Sequence, residues 1–493
     1  MPLRIERSRR AAARDLGHNP PSLGQAQTAQ QIWSGAGLRA RLAILRRARH
    51  RIATTAVAIA HSVPCERPGA LSRSVADTLV AEVLPLVEAC RFLEREAAWI
   101  LAPQRLSTHT RPFWLRRVTA EIVREPLGVV LIIGPANYPL FLPGVQALQA
   151  LAAGNAVLWK PAPGGSAAAE AFRSVLIECG LDPALLQVLD DTTEAVREAI
   201  AGGVDKIFLT GSAATGAAVL SQLAPHITPA VMELSGCDAV FVLPGVDQER
   251  VLQALTFGLR LNGSATCMAP RRLFLVGEFA GFVAALCERL SREPLVALPA
   301  HTQNLLTAAL DDARNRGATV QLGGSIEAMN FVMVHGATGD MRIAQTDIFA
   351  PVLCVFNVPD VDAAVHAHAP CPYVLTAAIF GPERAARALA ARLPVSTVLI
   401  NDLIVATADP RVSFGGRKAS GFGVTRGREG LLEMTAVKTI VVQGSRDLRA
   451  YRPTTSKHEP FFAAYLETAH GGGWRARWQG LRRLLRAGAR LER

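Results

Sequence analysis

The sequence predicts an α/β protein in which a doubly wound parallel sheet, covered by helices on both faces, is followed by a second α/β unit. Three observations lead there. Short, wholly apolar runs alternate with helix-length amphipathic runs from Val129 to Leu234, which is the pattern of doubly covered strands joined by crossover helices. Half of the residues are hydrophobic and 19% are charged, so the chain has the material for a large core and does not read as disordered. At 493 residues it also exceeds what one core serves, and two or three structural units are expected.

The first βαβ unit lies within the uncharged stretch from Leu127 to Trp159. Its length suggests a membrane span, but Pro135, Asn137, Pro139 and Pro143 break it into short pieces. It resolves into a strand over 129–133, a loop over 134–138, a helix over 140–153 and a strand over 156–159. Helical segments over 166–178, 194–201 and 213–223 then lead into strands over 185–189, 207–209 and 231–234. In such a sheet the ligand is expected at the carboxyl ends of the strands. A second α/β stretch begins near Ala239, with helices over 248–260, 279–291 and 302–316 and strands over 352–356 and 398–400. The turn-rich run Ser413-Phe414-Gly415-Gly416 follows, and residues from about Gln25 to Trp99 are helical in pattern.

The net charge of +12 is not spread evenly. Residues 1–51 hold eleven arginines against Glu6 and Asp15, and residues 445–493 hold ten arginines and Lys457 against four acids, leaving the body at −4. The body is therefore not a basic protein. The eight cysteines form no CxxC pair, so they read as reduced thiols with no zinc-type spacing and no metal site. No secretory signal is visible at the start, and a cytoplasmic location is expected.

Four loops at strand ends carry residues suited to chemistry. Asn137, in Gly134-Pro135-Ala136-Asn137-Tyr138-Pro139, is an amide donor where a carbonyl is to be polarised or an oxyanion held, an effect of roughly 3 kcal/mol when preorganised; in isolation a loop-capping Asn is the commoner case. Lys160, one of five lysines, exits the next strand, where its ammonium suits ribose hydroxyls or a phosphate. Thr210-Gly211-Ser212-Ala213-Ala214-Thr215-Gly216 opens a helix with small residues, which lets a diphosphate approach backbone amides. It is not GxGxxG. The last pair is Met232-Glu233-Leu234-Ser235-Gly236 and Asn262-Gly263-Ser264-Ala265-Thr266-Cys267, in which a thiolate can attack a carbonyl carbon and a carboxylate can activate water to release the thioester. A single Cys or Glu of this kind is more often structural.

Taken in order, these segments resemble the aldehyde dehydrogenase superfamily from about Gln25 to Gln443. The resemblance also rests on Ala269-Pro270-Arg271-Arg272, Asp347-Ile348-Phe349-Ala350-Pro351-Val352 and Phe414-Gly415-Gly416-Arg417-Lys418-Ala419-Ser420-Gly421-Phe422-Gly423. It implies a Rossmann-type NAD(P)-binding domain over 25–235 and a catalytic domain over 236–423. A return segment with an oligomerisation strand would span 424–444, paired with a β-ribbon strand near 119–125. Residues 1–24 and 445–493 would be extensions. By the same resemblance Cys267 attacks the aldehyde, Asn137 and the Cys267 amide hold the oxyanion, hydride passes to NAD or NADP, and Glu233 activates water. Lys160, Gly211, Ser212 and Gly216 would contact the adenosine ribose and diphosphate, and Asp347 and Phe349 the nicotinamide ribose and ring. A homodimer or homotetramer is implied.

Several positions depart from the family pattern. Ser264-Ala265 stands where Gly-Gln is usual, and Cys237 follows Ser235-Gly236 where Gly-Gly-Lys is usual, so rate and substrate range are affected more than reaction type. Pro163 replaces the acidic residue that favours NAD, removing a repulsion against a 2′-phosphate, and Asp347 replaces the usual Glu. The interval from Cys267 to Asp347 is short, with little sequence between Gly324 and Met341, which suggests a trimmed catalytic domain. Two alternatives stand beside hydrolytic oxidation: an acylating enzyme releasing its thioester to coenzyme A, and a catalytically weak, membrane-associated scaffold.

The arginines over 39–51 lie beside an apolar stripe of Leu38, Leu42, Leu45 and Ile52 and read as a solvated helix face. The end of the chain differs. At about 100° per residue over 474–493, Trp474, Trp478, Leu481, Leu485 and Gly488 fall within about 40° of one line. Arg475, Arg482, Arg483, Arg486, Arg490 and Arg493 fall about 80° to 180° away from it. That describes an interfacial helix on an anionic membrane, which would make the enzyme peripheral on the inner face and its aldehyde lipophilic. A tail helix docked on protein, or a disordered basic tail, stays open as well. No nucleic-acid module accompanies the charge, and nucleic acid is not an expected partner.

Overall fold

The structure, a computed structural model, describes residues 22–64, 73–444, 451 and 453–491. Most of the N-terminal extension, Cys65, and the last two residues of the expected C-terminal helix lie outside the described residues. The chain divides into two compact units, one of residues 1–103 and 123–438 and the other of residues 104–122 and 439–493.

The first unit holds two sheets. In the six-stranded sheet the order is Gly421–Phe422, Ala230–Glu233, Lys206–Thr210, Val129–Ile133, Ala156–Lys160, Leu186–Val188. All neighbours are parallel except the short first strand. The chain runs outward from Val129–Ile133 to Leu186–Val188, then crosses back to Lys206–Thr210 on the other side. That reversal opens a crevice at the carboxyl ends of Val129–Ile133 and Lys206–Thr210, where doubly wound sheets take their ligands. The strands are buried on both faces, because the helices Phe141–Ala153, Ser166–Glu178 and Ala213–Leu223 complete the layers. Gly154 (φ 101) ends the first of these helices in a left-handed turn.

The second sheet has eight strands and a parallel centre ordered Ala328–His335, Val352–Val358, Pro270–Val276, Asp238–Val242, Thr376–Phe380, Thr397–Ile400. Pro270–Val276 does not look like a strand in the sequence because it opens with Pro270, Arg271 and Arg272; both guanidinium groups are buried and hydrogen-bonded. The interval from Gly324 to Met341, short as it is, still contains the strand Ala328–His335.

The sheets meet through the chain's return. Gly421–Phe422, which the resemblance puts at the end of the catalytic domain, pairs with Glu233 and Met232 in the first sheet. Gly421 (φ 98) is required there, since a Cβ would lie 1.9 Å from the carbonyl oxygen of Met232. Leu431 and Met434 then join the first core.

The helix Gly37–Thr54 corrects one expectation. Arg41 is buried, not solvated, and its guanidinium donates to the carbonyls of Ala152 (3.0 Å) and Ser34 (3.2 Å). Ala152 lies in the last turn of Phe141–Ala153, where carbonyls have no partner within the helix and take a cation well.

The second unit contains Gln104–Arg105, residues 118–122 of the strand Val118–Pro126 and residues 439–443 of the strand Thr435–Gln443, neighbours in that order, and two helices, Glu459–His470 and Trp474–Leu491. The helices pack on each other through small residues. A Cβ on Gly480 would meet the Thr468 amide at 2.7 Å, and Gly488 faces the Phe461 ring. Of the Trp and Leu stripe, Trp474 (74% exposed), Trp478 (53%) and Leu485 (67%) stay in solvent, while Leu481 is half-buried.

Candidate active site

Three loops converge on one cavity of about 410 Å³ in the first unit, whose lining includes Tyr138, Glu233 and Cys267. Glu233 ends the strand Ala230–Glu233 and is 3% exposed. Its Oε2 accepts from Thr425 Oγ1 at 2.9 Å, while Oε1 has no hydrogen-bond partner. Burial pushes its carboxyl above the usual range, opposed by the Arg426 guanidinium and the Thr425 hydroxyl. Cys267 is half-buried on the cavity wall. Burial first, then the carboxylates of Glu233, Asp238 and Asp347, drive its thiol well above the ordinary value, so it rests protonated.

The loop before Cys267 is held in an uncommon backbone conformation. Asn262, Gly263 and Ser264 all have positive φ (52°, 61° and 64°), which Asn and Gly tolerate and Ser does not prefer. Arg271 clamps Ser264 by donating to its Oγ and its carbonyl oxygen, each at 2.7 Å. The same guanidinium reaches the Ala350 carbonyl and pairs with Asp347 at 3.5 Å. Asp347 is thus tied to the loop that precedes Cys267. Its carboxyl is raised to about 6, burial outweighing the pull of Arg271. On the other side Gly236 presses against this loop, since a Cβ there would meet the Cys267 carbonyl oxygen at 2.5 Å.

Asn137 reaches the same loop. Its Nδ2 donates to the Ala265 carbonyl at 3.0 Å, Asn262 Nδ2 donates back to the Asn137 carbonyl at 3.1 Å, and the Tyr138 hydroxyl bonds Thr266 Oγ1 at 2.8 Å. Two buried residues that the sequence reading passed over fix this segment from behind. Glu82 accepts from the amides of Leu140 (2.8 Å) and Phe141 (3.1 Å) at the start of a helix, and pairs with Arg73. Arg73 in turn donates to the Asn137 carbonyl and lies over the Tyr138 ring. Nothing in the sequence signals this role, because the segment that the pair holds, over 137–141, lies more than fifty residues further along the chain. Glu82→Ala leaves Arg73 as an uncompensated buried cation, and a loss of about 3–5 kcal/mol is expected, read as a lowered midpoint in thermal denaturation. An unchanged midpoint would mean that the pair does not secure the loop.

The residues assigned to a dinucleotide sit at the crevice of the six-stranded sheet. Lys160 ends Ala156–Lys160 and is largely buried, which lowers its ammonium pKa against the opposing pull of Asp191. Ser212 caps the helix Ala213–Leu223, its Oγ accepting from the Thr215 amide at 3.1 Å. An added Cβ at Gly211 would make only ordinary contact, with Leu209 at 3.7 Å, and Gly216 lets the helix approach Leu234 closely. A helix N-terminus, an ammonium and small residues at this sheet position fit the phosphates and ribose hydroxyls of NAD or NADP. Asp347 and Phe349 lie apart from that group in sequence, on the loop before Val352–Val358, and Phe349 is half-buried.

The aldehyde dehydrogenase family model matches residues 20–440. The 4,4'-diapolycopene aldehyde oxidase of Methylomonas sp is 30% identical over 379 residues, covering 73% of this chain and 70% of that protein. Among solved structures, a point mutant of betaine aldehyde dehydrogenase from Staphylococcus aureus in complex with NAD+ superposes with a TM-score of 0.78 at 22% identity, covering 88% of this chain and 91% of the other. The NADP-dependent glyceraldehyde-3-phosphate dehydrogenase of Bacillus halodurans, complexed with NADP, reaches 0.76 at 26% identity over 86% and 90%.

Proposed function

The chain belongs to the aldehyde dehydrogenase family, and from that premise we propose that Cys267, Glu233 and Asn137 carry its chemistry on an apolar aldehyde. It is an NAD(P)-dependent enzyme that oxidises an aldehyde to the carboxylic acid. Cys267 rests as a thiol, and its sulfur adds to the carbonyl carbon as the proton leaves to solvent. Asn137 and the Cys267 amide hold the oxygen that becomes negative. When bound, the dinucleotide supplies the hydride acceptor that converts the adduct to a thioester. Glu233 then takes a proton from the water that attacks the thioester, the C–S bond breaks, and the acid leaves. Retention of a buried carboxylate at Glu233 favours water over coenzyme A as the acyl acceptor.

The observation that carries this reading is that Glu233 and Cys267 line one cavity whose walls are otherwise largely apolar, among them Phe141, Leu142, Phe257, Leu261, Ile404 and Phe414. The Arg73 charge at that wall is already neutralised by Glu82. NAD(P)H formation from aldehydes of increasing apolar bulk, with no coenzyme A present, tests it: kcat/KM should rise with bulk until the cavity is full. Turnover confined to small charged aldehydes, or dependent on coenzyme A, would overturn it.

Two finer partners are part of the proposal. A homodimer or homotetramer is supported by the strand Thr435–Gln443, which lies at the edge of its sheet with Val437, Ile440, Val441 and Val442 exposed. Docking of Trp474–Leu491 on an anionic membrane surface is supported by the exposed Trp474, Trp478 and Leu485, with arginines but no acids in that helix. No helix among the described residues is long and apolar enough to cross a membrane. The triple variant Trp474→Ser, Trp478→Ser, Leu485→Ser changes only exposed side chains, and it should lose flotation with phosphatidylglycerol vesicles while keeping soluble-aldehyde turnover. Equal flotation of variant and wild type would remove the membrane as partner.

A further inference from the structure

Beside Glu233 the cavity holds a buried arginine that the family's chemistry does not call on. Arg426 is 5% exposed and lines the same cavity as Glu233 and Cys267. Its Nη1 donates to the Thr407 carbonyl at 2.8 Å, and its guanidinium lies 4.5 Å from the centre of the Phe414 ring and 5.9 Å from that of Phe141. Its Nε has no hydrogen-bond partner. Among the described residues no carboxylate is recorded in direct ion-pair contact with it. A buried cation in such a place is destabilising unless a nearby negative charge offsets it. The unpartnered Oε1 of Glu233 belongs to a carboxylate in the same cavity.

The backbone bears a second cost at this residue. Arg426 has φ 59° and ψ 172°, a region essentially reserved for glycine and strained for other residues. Thr425, one position earlier, is the residue whose hydroxyl holds Glu233 Oε2. Neighbouring positions of one turn therefore bring a hydroxyl and a cation to the surroundings of the same carboxylate.

We propose that Arg426 is a positioning residue for the hydrolytic half-reaction, its guanidinium keeping Glu233 a carboxylate beside the Cys267 sulfur within an apolar cavity. The inference rests on the role given above to Glu233. In the step it serves, water oxygen bonds to the thioester carbon, its proton passes to Glu233, the C–S bond breaks, and the electron pair stays on the Cys267 sulfur. The cation favours both the carboxylate that starts the step and the thiolate that ends it. The direction agrees with the electrostatics, in which Arg426 pulls both Glu233 and Cys267 down against burial. The other titratable groups facing this pair are Tyr138, Asp238 and Asp347; Asp77, Arg260 and the Glu82-paired Arg73 also line the cavity.

The test is the pH dependence of steady-state turnover and of the initial NAD(P)H burst in the full chain, for wild type, Arg426→Met and Arg426→Lys. Without the cation the Glu233 pKa rises further, so the carboxylate base is present only at higher pH. The rising limb of Arg426→Met should move up by about one pH unit, and Arg426→Lys should restore the wild-type position. Arg426→Gln, which keeps a donor for Thr407, replaces the methionine variant if that fails to fold. A rate lowered by the same factor at every pH, with the limb unmoved, would make Arg426 a packing residue and overturn the proposal. Failure of the underlying reading looks different, because Glu233→Gln would then hydrolyse the thioester as fast as wild type.

Discussion

Replacing Cys267 by alanine should abolish aldehyde-dependent formation of NAD(P)H, lowering kcat on the order of 10⁴-fold or more. The expectation is strong because the cavity offers no second nucleophile of comparable placement: among the lining residues Cys267 is the only thiol. The other described cysteines lie outside that lining. Cys354 is raised to about 12 by burial, and Cys237 points its sulfur at the Ala344 carbonyl, 3.5 Å away. The substitution is also mild for the fold, since it removes one sulfur from a half-buried position. Burst amplitude and steady-state rate should vanish together. Because the resting thiol lies well above its ordinary pKa, the wild-type burst should accelerate with rising pH, and a pH-independent burst would contradict the assignment of a protonated thiol.

Glu233→Gln should separate the two half-reactions. The first turnover, through Cys267, is expected to give a burst of NAD(P)H near one equivalent per site, while steady-state turnover falls by about 10² to 10⁴. The glutamine keeps the volume and still accepts from Thr425, so the packing around Phe414 and Thr425 is preserved. Loss of the burst together with turnover would place Glu233 in the first step instead. In the wild type the Glu233 carboxyl lies above the usual range, so deacylation is present above that raised pKa and is lost as the pH falls through it.

How far the sequence spoke depended on how local the physics was. The strands over 129–133 and 156–159 were legible because doubly covered parallel strands are uninterrupted apolar runs, and the loops after them carry Asn137 and Lys160 at once. The second sheet was less legible. Pro270–Val276 starts with two arginines whose burial only tertiary partners explain, and Ala328–His335 fell in an interval that read as trimmed. At the site, Glu233 and Cys267 stand out through the resemblance rather than through their own segments, and the structure places both on one cavity; Thr425 does not stand out, since its bond to Glu233 joins positions 192 residues apart, and neither does its neighbour Arg426. Ser264 in place of the usual glycine was visible, but not the means by which Arg271 holds it at φ 64°. The C-terminal wheel was read correctly as a helix, and its glycines, which weaken a lone helix, have a use that only the hairpin reveals: they bring Trp474–Leu491 against Glu459–His470 and leave the tryptophans outside.

The most direct test of the central claim is to mix Glu233→Gln with an apolar aldehyde and NAD(P)+, quench with acid, and measure the intact mass followed by peptide mapping. The expected result is an added acyl mass, one per chain, located on Cys267. Oxidation of the aldehyde with no covalent adduct, or an adduct located on Cys237 or Cys371 instead, would contradict it.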